Sequence, residues 1–244
     1  MQSLWVGGQL SNLEILCLKS FVDHGHPFHL YTYNDLGNMP PGVVQKDARE
    51  ILPESSIFKY ANRDSYAGFA NLFRYKLLLD KGGIWTDMDI VCLRPFDIPN
   101  EYVFTVEPPG NITNFFIQVP MGSELMQTCY TKAAKYDSSR ILWGQTGPQF
   151  LAKIVGSMNI DAIVLETEYF GAIPYDWHLV FTEDDSAFLL NTLLKDSFGT
   201  HLWNEMWRIN EIDKNKQKIH CIIKTVLKSL LILLSSLFVW AQKK

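Results

Sequence analysis

Asp87 and Asp89 close the stretch GGIWTDMD that begins at Gly82, two carboxylates one residue apart at the end of a short apolar segment. Unpaired carboxylates at that spacing repel each other and lose hydration, and a hard dication held between them relieves both costs. Oxygen donors favour Mg²⁺ or Mn²⁺ over zinc. On a strand, residues i and i+2 point to the same side, so the pair is expected to face one ligand at or just past the strand's carboxyl end. Open α/β sheets bind their ligands there. A turn cap or an ion pair with Arg94 is the plain alternative for a bare D-x-D.

The preceding segment, AGFANLFRYKLLLDKGG, predicts a helix over 67–81 with Gly82 as its C-terminal cap. Asn71 and Arg74 are three apart and share a face of that helix, among Phe69, Leu72, Phe73, Leu77 and Leu78. An arginine fork beside a metal suits a diphosphate or a ribose; a surface ion pair with Asp80 is the alternative.

Other elements must carry this group. Ser3–Gly7 is a short apolar strand, Ser11 stands before the helical pattern Leu13, Leu16, Cys17, Phe21, and FHLYTY from Phe28 alternates as a second strand. YVFTV and NFFIQV read as strands, Ser123 to Tyr136 as a helix, and Pro148 opens a helix through Val155. Alternating elements of this length predict an α/β domain with a largely parallel sheet.

The chain has 244 residues, 47% hydrophobic and 20% charged, which suits one large core. A net charge of -4 argues against nucleic acid as a partner, so any anionic ligand must be bound locally. Cys17, Cys92, Cys129 and Cys221 stand singly among apolar neighbours without metal-ligand spacing, as buried thiols in a reducing compartment do. Met1 leads directly into SLWVGG, without a basic region and long apolar stretch, and a cytoplasmic location is the expectation.

The tail differs in kind. From Ile219 to Ala241 it is mostly apolar, but Lys224 and Lys228 leave only Leu230 to Ala241 free of charge, short of the roughly 20 residues a spanning helix needs. Lys218, Thr225, Lys228 or Ser229, Ser235 or Ser236, and Gln242 recur at helical spacing as a narrow polar stripe. An in-plane helix on a membrane surface fits this pattern, with Trp240 near the headgroups; a helix packed on the main domain is the alternative. The expected division is a catalytic domain over 1–210 and a membrane-associating C-terminal helix over 211–244.

The order N-x-x-R-Y, K-G-G-I-W-x-D-x-D, a strand and R-P resembles glycosyltransferase family 32, the DXD sugar transferases of capsule and lipopolysaccharide synthesis, the yeast mannosyltransferases and the α-1,4-galactosyltransferases. LWVGG with Ser11, LYTYND, Gly147-Pro148 and His201-Leu202-Trp203 follow the same order, over about the first 205 residues. The resemblance implies a GT-A fold, a Rossmann-like α/β sheet, and transfer of a hexose from a nucleotide-sugar, a UDP-sugar before GDP-mannose, with retention at the anomeric carbon. The acceptor would be a glycan or lipid-linked saccharide, and the apolar, lysine-bearing tail adds the expectation that the enzyme works peripherally on the inner face of the cell membrane.

The same resemblance implies the roles. Asp89 would bind Mn²⁺ or Mg²⁺ directly, with Asp87 touching the donor or reaching the metal through water. Arg74 would meet the donor sugar or phosphate. Asn71 holds a position that is commonly aspartate in similar enzymes. Trp5 would lie against the nucleotide base, His201 would be a third metal ligand or diphosphate contact, Trp203 would close over the donor, and Gln145 to Pro148 would line the acceptor side. For Trp5, His201 and Trp203, core packing is the competing reading. Glu183, Asp184 and Asp185 read as a solvated helix start. Two other functions compete: a haloacid dehalogenase-like phosphatase, suggested by the strand followed by D-M-D-I-V, and an inactive membrane-bound sugar-nucleotide-binding subunit, admitted by Asn71.

Overall fold

The computed structural model describes residues 1–181 and 186–215. The Glu183–Asp185 charge run, Cys221 and the apolar tail from Ile219 lie outside the described residues. Strand β1 (Gln2–Trp5) enters helix α1 (Asn12–Asp23) through the Gly7-Gly8 loop. Ser11 caps α1: its hydroxyl accepts from the Leu13 N–H while the Glu14 carboxylate accepts from the Ser11 N–H at 2.9 Å. That reciprocal arrangement satisfies two N–H groups the helix end would otherwise orphan.

Strands β2 (Phe28–Thr32) and β3 (Val43–Asp47) continue the sheet in parallel. Helix α2 (Ala67–Lys81) then returns the chain to β4 (Gly83–Thr86), which pairs in parallel with β1. The carboxyl ends of β1, β2 and β4 therefore open onto one edge. β6 (Tyr102–Glu107) and β7 (Asn111–Val119) are joined by Pro108-Pro109-Gly110, and a connection this short permits only an antiparallel pair. β7 also runs against β4. The sheet order is β3-β2-β1-β4-β7-β6-β8, with β8 (Ala162–Leu165) parallel to β6. The sheet is thus mixed, where the alternation of elements predicted a largely parallel one.

Side chains alternate across this sheet. Leu4, Tyr31, Phe104 and Ile117 join one buried cluster with residues of α2, α3 (Glu124–Ala133) and α4 (Pro148–Val155). Leu30, Val103 and Phe116 join another with Leu18 and Phe21 of α1 and Phe170 of α5 (Thr167–Phe170). Both faces are covered, as an α/β sheet requires. A third cluster seats Trp207 of α7 (Asn204–Ile209) and Leu190 of α6 (Ala187–Leu193) against Leu13 and Cys17 of α1. Cys17, Cys92 and Cys129 are buried and free. Among the described residues no helix is long and apolar enough to cross a membrane.

A small separate sheet pairs β5 (Ile90–Cys92) with β9 (Gly199–His201), antiparallel, with Ile90 opposite His201. This pairing brings a late segment beside the turn that ends β4. The strand that leads to this turn starts from Gly82, which caps α2 at φ 61° with its N–H on the Leu78 carbonyl. A Cβ at Gly82 would stand 2.3 Å from the Met121 backbone nitrogen, so both the left-handed conformation and the space exclude a side chain. We predict that Gly82→Ala lowers stability by roughly 2 kcal/mol or more in denaturant unfolding. An unchanged midpoint would contradict this account of how β4 is placed.

Candidate active site

β4 ends at Thr86, and Asp87-Met88-Asp89 form the turn into β5 rather than its last strand residues. The pair therefore lies just past the strand's carboxyl end, where a turn rather than strand alternation orients the two carboxylates. Each has found its own partners. Asp87 Oδ1 accepts from Arg74 Nη2 at 2.6 Å and from the Trp85 indole N–H at 2.7 Å. The Arg94 pairing does not form; its guanidinium bonds the Lys195 carbonyl.

Arg74 is nearly fully buried, with its guanidinium carbon 4.6 Å from the Trp85 ring centroid. Its Nη1 donates to Asn71 Oδ1 at 3.0 Å, and Asn114 Nδ2 donates to the same oxygen at 2.9 Å. The Asn71 amide nitrogen reaches toward Tyr60 Oη and Thr146 Oγ1 at 3.4 and 3.5 Å, and Tyr75 Oη donates to the Thr146 carbonyl. Asn71 and Arg74 thus share a face, as their spacing predicts. The Gln145 to Pro148 loop adjoins that face through Thr146. Lys76, not Arg74, pairs with Asp80.

On the other side of the turn, Asp89 Oδ2 lies 3.0 Å from His201 Nε2 and accepts the Asn204 backbone N–H at 2.8 Å. The β5–β9 register explains the first contact: with His201 opposite Ile90, its ring stands beside Asp89, and the Asp89 carbonyl accepts the Leu202 N–H. Trp203 explains the second. It is held at φ 58°, uncommon for a residue with a Cβ, with its indole N–H on the Ile173 carbonyl. That left-handed step turns the chain so that Asn204 donates to Asp89. The Trp203 ring lies 3.9 Å, centroid to centroid, from His201, and Phe115 packs on the same imidazole at 4.7 Å.

These partners push the two carboxyls apart in acidity. Burial raises Asp87 above the usual carboxylate range against the pull of Arg74, and the charge of Asp89 adds to the rise. Burial would also raise Asp89, but the charge and hydrogen bond of His201 and the Asn204 N–H outweigh it and hold Asp89 low. For His201, burial disfavours the cation, yet Asp89, Asp87 and Glu107 together raise its pKa. Glu107, which the sequence did not mark, is itself raised by burial.

The donor chemistry suits a divalent cation. Asp89 and His201 set a carboxylate oxygen and an imidazole nitrogen side by side, and His201 Nδ1 and Asn204 Oδ1 are buried without hydrogen-bond partners. Among the described residues, however, no three His, Cys, Asp or Glu side chains converge as a ready cage, because Asp87 is turned toward Arg74.

Trp5 does not touch this cluster. It walls a cavity of about 240 Å³ at the carboxyl ends of β1 and β2, with Thr32, Tyr33, Asn34, Ile57 and Tyr66, and its indole N–H donates to the Gly8 carbonyl. A larger cavity of about 690 Å³ lies elsewhere, around Pro99–Tyr102 and Ser157–Asp161, and includes no residue of the turn.

Residues 14–105 match the glycosyltransferase sugar-binding region containing DXD motif, and residues 118–225 match the alpha 1,4-glycosyltransferase conserved region. Among solved structures, the chain is similar to the PaToxG glycosyltransferase, at 14% identity over 64% of this chain and 68% of that one, with a TM-score of 0.46. It is also similar to the glycosyltransferase GlyE of Streptococcus pneumoniae TIGR4, at 14% identity over 86% of this chain and 61% of that one, with a TM-score of 0.45. The chain therefore spans less than two thirds of the length of GlyE. No curated protein matches it in sequence.

The Arg74–Asp87 pair yields a test independent of activity. Removing Arg74 leaves the part-buried Asp87 carboxylate without its cation, so Arg74→Met should cost roughly 2 kcal/mol in denaturant unfolding. Adding Asp87→Asn should recover part of that loss, with a coupling of about 1 kcal/mol or more. Strictly additive losses would show that the pair does not hold α2 to the turn.

Proposed function

From a glycosyltransferase chain in which the DXD sugar-binding region precedes the alpha 1,4-glycosyltransferase region of family 32, we propose a metal-dependent hexosyltransferase of the GT-A type. It moves a hexose from a nucleotide-sugar, a UDP-sugar before GDP-mannose, in α-1,4 linkage with retention, to a glycan or lipid-linked acceptor in surface polysaccharide synthesis. The observation that carries this reading is the Asp87–Asp89 turn, which pairs with Arg74 on one side and His201 on the other, at the same sheet edge as the Trp5 cavity.

The chemistry follows from charge. As the glycosidic bond breaks, negative charge builds on a nucleoside diphosphate leaving group. Asp89 with His201 would hold Mn²⁺ or Mg²⁺, with Asp87 touching the donor or reaching the metal through water, and the cation would supply positive charge to that leaving group. The chain's own residues do the rest. Arg74 lends its fork to the donor sugar or phosphate, and Asn71, fixed by Arg74 and Asn114, orients the donor through its amide. Trp5 offers an aromatic wall for the base. Trp203 packs on His201 and keeps water from the reacting bond. Thr146 and the Gln145 to Pro148 loop border the acceptor side.

The apolar, lysine-striped tail suits peripheral attachment to the inner face of a membrane, with residues 1–210 as the catalytic domain and 211–244 as the attachment. Two outcomes test the proposal. Asp89→Asn should abolish Mn²⁺-dependent hydrolysis of a nucleotide-sugar panel while the protein remains folded; full retained turnover would refute the metal role. Truncation after Asn215, which spares the contacts of Lys214 and Asn215 with α1, should release the protein from anionic liposomes and leave donor hydrolysis intact. A truncated protein that still sediments with lipid would place the attachment elsewhere.

A further inference from the structure

The site carries Asp87, Asp89 and Glu107 as acids, and Arg74 already shares its two terminal nitrogens between Asp87 and Asn71. A diphosphate that draws on Arg74 and a metal among these carboxylates gains from a further cation. Lys214 stands beside Trp5. Its ammonium is 2.5 Å from Glu14 Oε1, and Glu14 is a fully buried carboxylate in the first turn of α1. The same ammonium lies 5.8 Å from the Trp5 ring centroid, the ring that walls the cavity at the ends of β1 and β2.

The placement is not a loose contact. Asn215 fastens the segment to α1, accepting the Asn12 N–H on its side chain and the Asn12 amide on its carbonyl, both at 3.1 Å. Glu14 does not depend on the lysine, because its other oxygen accepts the Ser11 N–H at 2.9 Å and the Ser11 hydroxyl. The lysine side chain is about a quarter exposed, whereas the Glu14 side chain is 1% exposed. Of the two, only the cation can reach a ligand.

Resting on the nucleotide-sugar reading above, we propose that Lys214 is a donor-binding residue: when a nucleoside diphosphate lies between Trp5 and Asp89, its ammonium leaves Glu14 and bonds the diphosphate. The exchange is between two anions on a flexible four-carbon stem, and Glu14 keeps its Ser11 bonds while it happens. A C-terminal residue thereby completes a pocket otherwise built from the ends of β1 and β2.

The test is calorimetry on the full chain with Mn²⁺, using UDP and GDP and the parent nucleosides uridine and guanosine. Lys214→Met should weaken the bound diphosphate on the order of tenfold, the size of one charge-assisted hydrogen bond, and leave its nucleoside unchanged. Lys214→Arg should restore most of the loss. Glu14→Gln, which frees the lysine, should tighten the diphosphate and supplies the test by itself if Lys214→Met does not fold. Equal weakening of nucleoside and diphosphate would make Lys214 only a wall of the pocket and overturn the proposal, as would unchanged diphosphate binding in Lys214→Met or Glu14→Gln. Wild-type protein that binds neither UDP nor GDP would instead defeat the nucleotide-sugar reading, and this inference with it.

Discussion

The contact between Asp89 and His201 depends on a three-residue register, Ile90 opposite His201 in the β5–β9 pair, and the rest of the site depends on that contact. It joins a turn at the end of β4 to a segment 112 positions away in sequence. Through it, Leu202 bonds the Asp89 carbonyl, Trp203 is forced into a left-handed conformation, and Asn204 donates to the Asp89 carboxylate. Strain of this kind persists only where the surroundings over-determine it. Here the indole bond to Ile173 and the burial of Trp207 against α1 supply that determination.

The two aspartates are kept from acting as a bare repelling pair by being given opposite neighbours. Asp87 belongs to α2 through Arg74, and Asp89 belongs to the late segment through His201. Burial raises the Asp87 carboxyl, while His201 and the Asn204 N–H lower that of Asp89, so the two differ in acidity.

What the sequence made legible was local. The α2 helix over 67–81, its Gly82 cap, the Pro148 start of α4 and the Ser11 cap of α1 follow from residues that impose or satisfy backbone geometry within a few positions. The shared face of Asn71 and Arg74 followed from helical period alone. The reversed direction of β7 was not legible from alternating elements, although the Pro-Pro-Gly turn before it carried the signal. The β5–β9 pair was illegible because three-residue strands have no period to detect and no local residue encodes a partner so far away. Asn114 could have been found as the polar residue that opens the strand NFFIQV, and Thr146 lies within the Gln145 to Pro148 stretch that the resemblance marked, whereas Asn204, Glu107 and Lys214 reach their places through tertiary contacts that no spacing announces.

The most direct test of the central claim is a crystal structure of the full chain with Mn²⁺ and the nucleoside diphosphate it binds, read by anomalous scattering at the manganese edge. The account predicts one strong peak between Asp89 and His201, with the direct bond between those two side chains replaced by bonds to the metal. A peak elsewhere, or an Asp89–His201 contact that persists while the diphosphate is bound without metal, would contradict it.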